Sequence, residues 1–290
     1  MYIDKVRLTN IRGFRDLEFS FDRGNGTYAG WTVLTGDNGS GKSTLLKAVA
    51  LALSYPYRVF LQPSLRGWLR TSEAKAHIEL QTVESSGSRD MALIEIERPT
   101  RAGGMEMPDT LGLGKFPANT DEWFCCGYGP FRRISGVSKT SKDVPDLMGI
   151  PVVERLVTLF QETASLVEAD RWLRDLNYKK LEGKNKAAET LAIVINLLNE
   201  EFLPNQIKVE RVDSDGLWLK DREGNELSWS DMSDGYRSAL ALLTDMLRHL
   251  INHYGIDDLT ARDAEGKLFI TRSGVVLIDE IDAHLHPEWQ

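Results

Sequence analysis

Cysteine and long apolar runs are scarce in this 290-residue chain, and both absences narrow the class of protein. The two cysteines, Cys125 and Cys126, are adjacent, so they cannot build a disulfide framework and do not have a metal-ligand spacing. We expect them to be reduced and to lie in or near a core. No run of about 18 apolar residues occurs, and the start lacks the apolar stretch of a secretory signal. Neither export nor membrane insertion is indicated, and the cytoplasm is the expected location.

Positive charge is also in short supply. The chain has 35 Lys and Arg against 43 Asp and Glu, a formal net charge of -8. A protein whose main task is to hold nucleic acid is expected to present a positive field, and the chain as a whole does not. Clusters at Arg132–Arg133 and at Lys179–Lys180, extending to Lys184 and Lys186, could still meet a phosphate backbone. Solvated helix or loop faces explain such short runs more simply, so DNA contact stays an open alternative.

The hydrophobic fraction, 42%, is enough for one large α/β core or for one core with an inserted lobe. Near the start, apolar and polar residues alternate over two segments, at Val6, Leu8 and Ile11 and then at Leu17, Phe19 and Phe21. This period predicts two strands. Residues 31–35 read as a buried strand, and 44–53 combine high helix propensity with no Gly or Pro.

The rest of the pattern predicts a hairpin, a surface loop, a helical lobe, a second hairpin, a helix and a buried parallel strand. The first hairpin covers 75–83 and 91–97, the loop 101–119, the helical lobe 151–202, the second hairpin 207–212 and 217–220, the helix 238–250 and the strand 274–280. The lobe carries one apolar stripe from Val153 to Val167 and another from Leu191 to Phe202. Strands and helices of this kind predict an α/β fold.

A phosphate-binding loop lies between the strand at 31–35 and the following helix. It reads Gly36, Asp37, Asn38, Gly39, Ser40, Gly41, Lys42, Ser43 and then Thr44, which fits the pattern G-x-x-x-x-G-K-[ST]. Glycines allow successive backbone N–H groups to turn towards phosphate oxygens, and the helix start points its positive end at them. We expect Lys42 to reach the β- and γ-phosphates of ATP and Ser43 to ligate Mg²⁺.

Two carboxylates follow the last predicted strand. Asp279 and Glu280 come after four apolar residues, as in the Walker B pattern, in which the Asp holds the magnesium shell and the Glu polarises the attacking water. Alone, such a pair is as often a solvated strand end. Together with the phosphate loop it predicts ATP hydrolysis.

Three further segments, at residues 227–237, 281–287 and 8–14, carry family motifs. They resemble, in this order, the signature motif, the D-loop and the amino-terminal strand of ABC-type ATPases, in the branch that includes RecF, SMC heads and the OLD-like and Septu-type defence ATPases. The resemblance implies a P-loop NTPase with a mixed central sheet, an antiparallel β subdomain and an inserted helical lobe. It also implies one discontinuous ATPase domain, divided as 1–135, 136–205 (the insertion) and 206–290.

The same resemblance implies a composite site. In this branch Ser233 and Gly235 of one subunit would close the γ-phosphate held by the loop of another, in a homodimer or a higher even oligomer. A Ser hydroxyl and the N–H groups of a helix start are good anion donors. The alternative is that residues 233–235 form an ordinary turn and helix cap. Arg12 and Phe14 are candidates for the adenine pocket.

Three departures from the family pattern stand out. No glutamine lies near 127–133, where relatives carry one, and Arg132 could contact a phosphate or simply be exposed. Relatives continue beyond the D-loop with further strands and a switch histidine, so we expect either that the sequence is a fragment or that another chain or domain completes the sheet. His284 and His286 lie in the D-loop, and a structural role suits them better than catalysis.

Three functions remain in competition. The first is an ATPase that controls a partner effector, with a nuclease as the expected effector, in anti-phage defence or DNA surveillance. The second is a RecF-like repair ATPase that clamps DNA directly through basic residues. The third is an ATP-gated scaffold with very slow turnover. The first is favoured by the motif set, the acidic charge and the lack of a nuclease constellation in the sequence.

Overall fold

The computed structural model describes residues 2–28, 30–54, 67–84, 87–97, 110–111, 124–130, 150–161, 166–200, 203 and 206–281. The strands are β1 Tyr2–Ile11, β2 Phe14–Ser20, β3 Lys75–Val83, β4 Arg89–Glu97, β5 Thr110–Leu111, β6 Phe124–Tyr128, β7 Lys208–Asp213, β8 Gly216–Lys220, β9 Glu226–Ser228, β10 Thr260–Arg262, β11 Leu268–Ile270 and β12 Gly274–Ile278. The helices are α1 Lys42–Leu53, α2 Pro151–Phe160, α3 Val167–Leu181, α4 Asn185–Leu198 and α5 Asp234–Tyr254. They group into two compact units, one within 1–127, 146–160 and 273–279, the other within 128–145, 161–272 and 280–290.

The first unit is built on an antiparallel sheet of order β2-β1-β3-β4-β5. Its register places apolar residues on one face: Val6 pairs with Leu80, and Leu8 pairs with Ile78. All four are fully buried, while Arg7, between Val6 and Leu8, is exposed on the opposite face. The period of two in the sequence therefore fixes which face of the sheet becomes the core.

Helix α1 covers this apolar face. It contacts β3, β4, α2 and β12, and its residues Ala48 to Leu53 are all buried. A helix buried over much of its surface matches the unbroken apolar sequence at its carboxyl end. The start of α1 and Asp279, which directly follows β12, belong to the same unit.

The prediction of a buried strand at residues 31–35 was wrong. The structure assigns no strand there, and Trp31 and Val33 are 63% and 61% exposed. β-Branched and aromatic residues favour a strand only where a neighbouring strand can pair with them, and no described strand pairs with this segment. The phosphate loop and α1 follow it as predicted.

The second unit combines helices with two small sheets. Helices α3, α4 and α5 pack on one another, and α3 and α4 also contact the sheet β7-β8-β9. Asn199, at the carboxyl end of α4, fastens β7 by donating to the carbonyl of Val209 at 3.0 Å and accepting from its N–H at 2.7 Å. Strands β10 and β11 form a separate hairpin.

Other sequence predictions have mixed outcomes. The hairpins β3–β4 and β7–β8 and the helix α5 are confirmed, and both cysteines are buried and form no disulfide. The stripe from Val153 to Val167 does not belong to one helix, because α2 ends at Phe160 and α3 begins at Val167. Strand β12 is confirmed but only partly buried, since Val276 is 41% exposed. Residues 110–111, inside the predicted loop, form β5. The three-part domain division remains a prediction.

Candidate functional site

The phosphate loop has the backbone that its glycines predict. Gly39 and Gly41 adopt φ angles of 80° and 98°, in the left-handed region that glycine enters without steric cost. Gly41 is the N-cap of α1, and the first turn closes through a bond from the N–H of Leu45 to the carbonyl of Gly41 at 2.9 Å. Residues 36–40 are exposed, so the loop is accessible to a ligand.

Phe14 lies directly against this loop. A Cβ atom built on Gly41 would be 2.3 Å from Cζ of Phe14, which is far closer than atoms can approach. Position 41 therefore needs glycine for two reasons, the backbone angle and the aromatic ring. Phe14, a candidate for the adenine pocket, thus lies beside the phosphate loop, and its role towards adenine remains a prediction.

Lys42 curls over the loop. Its Nζ donates to the carbonyl oxygens of Gly36 at 2.7 Å and Asp37 at 3.0 Å. These bonds use two of the three ammonium N–H groups and hold the positive charge over the loop. Ser43 is partly buried in the first turn of α1, with Thr44 buried behind it.

Arg12 is the second cation at the loop. Its Nη1 donates to the Thr44 hydroxyl at 3.3 Å, and its guanidinium lies on the ring of Trp68, 4.8 Å from the centroid. Partial burial lowers the pKa of Arg12 from its ordinary value, but an arginine remains charged in any protein environment. Sequence reasoning missed Trp68 because a single tryptophan upstream of a strand carries no recognisable pattern.

The two carboxylates occupy different surroundings. Asp279 is 4% exposed at the end of β12, while Glu280 is exposed and has a φ angle of 46°, which is uncommon for a residue with a side chain. Asp279 belongs to the same unit as the phosphate loop, and Glu280 is grouped with the second unit. Their roles in holding magnesium and activating water remain predictions.

The signature segment forms a helix start. A short 3-10 helix, Trp229–Asp231, leads to Ser233, which is the N-cap of α5. Ser233 is exposed, and its side chain makes no capping hydrogen bond to its own helix. Ser233 therefore occupies the position of an ordinary helix cap, but it does not make the side-chain hydrogen bond that such a cap usually makes. Gly235 lies in the first turn and is partly buried.

Several predicted residues lie outside the described part of the chain. They are Arg132, Arg133, His284 and His286. Within the described residues there is no group of three or more His, Cys, Asp or Glu able to hold a metal. Magnesium at a phosphate loop does not require one, because a hydroxyl and one carboxylate share the ion with phosphate oxygens. No described helix is both long and apolar enough to cross a membrane.

The glycine-lined loop before α1 and the buried Asp279 at a strand end agree with an ATPase of the ABC type, and the segment similar to the signature motif lies before α5. The chain belongs to the AAA domain family (AAA_23), whose profile matches residues 5–223.

Individual relatives agree with this class. The chain is 27% identical to Septu protein PtuA of Bacillus mycoides (strain KBAB4), over 99% of this chain and 35% of that protein. It is 23% identical to Retron Vc95 probable ATPase of Vibrio cholerae (serotype O1 biovar El Tor), over 99% of this chain and 66% of that protein. It thus spans about a third of the first relative and about two thirds of the second.

Among solved structures, one titled as the recombination mediator protein RecF with ATP in the RecFOR pathway superposes with a TM-score of 0.46 at 10% identity. The superposition covers 99% of this chain and 87% of that one.

Proposed function

We propose that the protein binds ATP with Mg²⁺ at the phosphate loop, hydrolyses it, and uses this cycle in a dimer to control a partner effector. The observation that carries the proposal is the loop itself, with glycines in the left-handed region, the start of α1 behind them and the Lys42 ammonium held over them. Backbone N–H groups, a helix start and two cations, Lys42 and Arg12, form a donor set suited to a triphosphate.

Each residue has a separate task in hydrolysis. Lys42 neutralises charge on the β- and γ-phosphates, and Ser43 and Asp279 hold the magnesium, which when bound offsets the charge that develops during phosphoryl transfer. Glu280 accepts a hydrogen bond from the attacking water and orients it. Its left-handed backbone supports this role, because strained residues persist where the surrounding structure holds them in place for a purpose.

The composite site needs a second subunit. Ser233 is exposed and its side chain makes no hydrogen bond that caps α5, so its hydroxyl and the N–H groups after it can face the γ-phosphate held by another copy. Two such contacts related by a two-fold axis close two ATP sites at once. This supports a homodimer or a higher even oligomer as the active state.

The partner is proposed from the relatives. Their names are those of a Septu protein and of a retron ATPase, and the chain spans only part of each. A defence role in which the partner effector is a nuclease agrees with the acidic net charge of -8, which argues against nucleic acid as the main ligand. The matching test is co-purification with the products of neighbouring genes, with and without ATP.

The ATP cycle is tested with three substitutions. Lys42→Ala should abolish ATP binding, while Lys180→Ala, on exposed α3 surface, should bind as the wild type does. Glu280→Gln should bind ATP, lose turnover by about 100-fold or more and accumulate as an ATP-dependent dimer in light scattering. Unchanged turnover in Glu280→Gln would instead support the slow scaffold.

Mixing two inactive variants tests the composite site. Lys42→Ala disables the loop and Ser233→Arg disables the signature, but a mixed dimer retains one site made of an intact loop and an intact signature. Turnover should therefore reappear on mixing. If each variant stays inactive in every ratio, the site is not shared between subunits.

One observation favours direct DNA binding as a second candidate. Lys179, Lys180, Lys184 and Lys186 are all exposed around the turn between α3 and α4, and Tyr178 beside them is 61% exposed. Lysines with an exposed aromatic ring suit a nucleic acid backbone and its bases. Binding of a duplex that weakens steeply as salt rises, and that is lost on replacing these lysines with glutamate, would support a clamp. Salt-insensitive or absent binding would exclude it.

A further inference from the structure

The turn Arg12–Gly13, between β1 and β2, lies beside the phosphate loop. Arg12 in the turn contacts Thr44, and Phe14, the first residue of β2, contacts Gly41. The backbone there is unusual, because Asn10 and Arg12 have φ angles of 57° and 47° although both carry side chains. Such angles persist only where neighbouring groups impose them.

Arg70 imposes this conformation. Its Nη1 donates to the carbonyl of Arg12 at 3.2 Å and to that of Gly13 at 3.0 Å. The backbone adds two bonds, from the N–H of Arg12 to the carbonyl of Trp68 at 2.7 Å and from the N–H of Arg70 to the carbonyl of Asn10 at 3.1 Å. The segment 68–70 therefore holds the turn in place through hydrogen bonds of the Arg70 side chain and of the main chain.

Trp68 supports the Arg12 side chain. The indole is fully buried, and its ring face carries the guanidinium at 4.8 Å. The partners of Arg12 in the described structure are this ring and the Thr44 hydroxyl, and no described carboxylate forms an ion pair with it. Neither partner neutralises the charge, so the guanidinium is held beside the loop while the described residues supply no anion to pair with it.

We propose that Trp68 and Arg70 are positioning residues of the nucleotide site, which hold Arg12 ready for a phosphate group of the bound nucleotide. This inference rests on the proposed function, because it assigns a task at the same ATP site. Trp68 sets the direction of the guanidinium, and Arg70 sets the backbone that presents it. Both act through Arg12 and need not touch the nucleotide.

The first test is ATP affinity, measured by calorimetry, together with the thermal midpoint of the protein without nucleotide. Trp68→Leu keeps an apolar side chain but removes the ring face, and should weaken ATP binding by about 3- to 10-fold. Trp68→Phe keeps a ring face and should bind within about twofold of the wild type. Arg70→Met removes the bonds to both carbonyls and should weaken ATP binding by about fivefold.

A matched control is available in the second unit, where Arg211 lies on the ring of Trp218 at 4.6 Å. Trp218→Leu should change the thermal midpoint and leave ATP affinity unchanged. If Trp68→Leu also changes only the thermal midpoint, the indole is structural and the positioning role is overturned.

A double-mutant cycle gives the sharper readout. If Trp68 acts through Arg12, then Trp68→Leu should cause no further loss of ATP affinity in an Arg12→Ala background. Additive losses would overturn the inference while leaving the proposed function intact. Failure of the wild type to bind ATP at all would overturn the proposed function, and this role with it.

Discussion

Replacing Gly41 with alanine should destabilise the protein for two separable reasons. A side chain at φ 98° costs about 1 kcal/mol because of left-handed strain. The new methyl group would lie 2.3 Å from Cζ of Phe14, and turning the ring away adds about 1 kcal/mol. Gly39→Ala is the matched control, since Gly39 has φ 80° but no described atom within 4 Å of a Cβ. It should show the strain alone.

Thermal unfolding without nucleotide separates the two costs. For a chain of this size about 1 kcal/mol corresponds to roughly 2–4 °C, so Gly41→Ala should lower the midpoint by about twice as much as Gly39→Ala. Phe14→Ala should be less harmful in the Gly41→Ala background than in the wild type, because the clash is relieved. Equal midpoints for the two glycine variants, or additive effects with Phe14→Ala, would refute the contact between ring and loop.

Three further predictions concern buried groups. Burial raises the pKa of the Cys125 thiol to about 12, so at pH 8 only about one thiol in ten thousand is ionised and iodoacetamide should label it at the rate of unfolding. Burial alone would raise the pKa of Asp245, but hydrogen bonds and charge from His249 and Arg248 outweigh burial and lower the pKa. Asp245→Asn should cost about 3 kcal/mol at pH 7 by urea denaturation. That contribution is present above the unfolded pKa of about 3.9 and is lost as pH falls through the lower folded value. Asn199→Ala removes two bonds to the buried backbone of Val209 and should cost about 2 kcal/mol in the same assay.

These predictions have clear contrary outcomes. Fast labelling of Cys125 in the folded protein would show that the thiol is accessible. A difference between the wild type and Asp245→Asn that does not shrink below about pH 4 would contradict the lowered pKa. Asn225→Ala, which breaks a bond in an exposed turn, should cost under about 0.5 kcal/mol, and an equal loss at Asn199 would remove the argument from burial.

Sequence patterns correctly predicted those helices and hairpins that are determined by residues close to one another in the chain. Alternation along 75–83 and 91–97 indicated the hairpin β3–β4, and the helix-forming run after the glycines indicated α1. The strand expected at 31–35 failed because a strand depends on a partner that no local pattern reveals. The sequence also did not predict the break between α2 and α3, because the apolar stripe continues along the sequence beyond the end of α2.

The candidate site divides in the same way. Gly39, Gly41 and Lys42 were recognisable because backbone angle and phosphate chemistry demand those residue types at that spacing. Trp68 and Arg70 were not, because they act on Arg12 across a separation of more than fifty residues, through contacts that leave no spacing rule behind.

The sequence by itself determined that this protein carries a glycine-rich loop of the phosphate-binding pattern, a pair of carboxylates after an apolar strand and a segment similar to the ABC signature before a helix, because each pattern is set by short-range geometry. Tertiary structure alone decided that Phe14 lies on Gly41, that Asp279 is buried and that Arg12 is held by Trp68 and Arg70. The physical reason is that burial and side-chain contacts arise when distant segments pack, and packing depends on the whole chain.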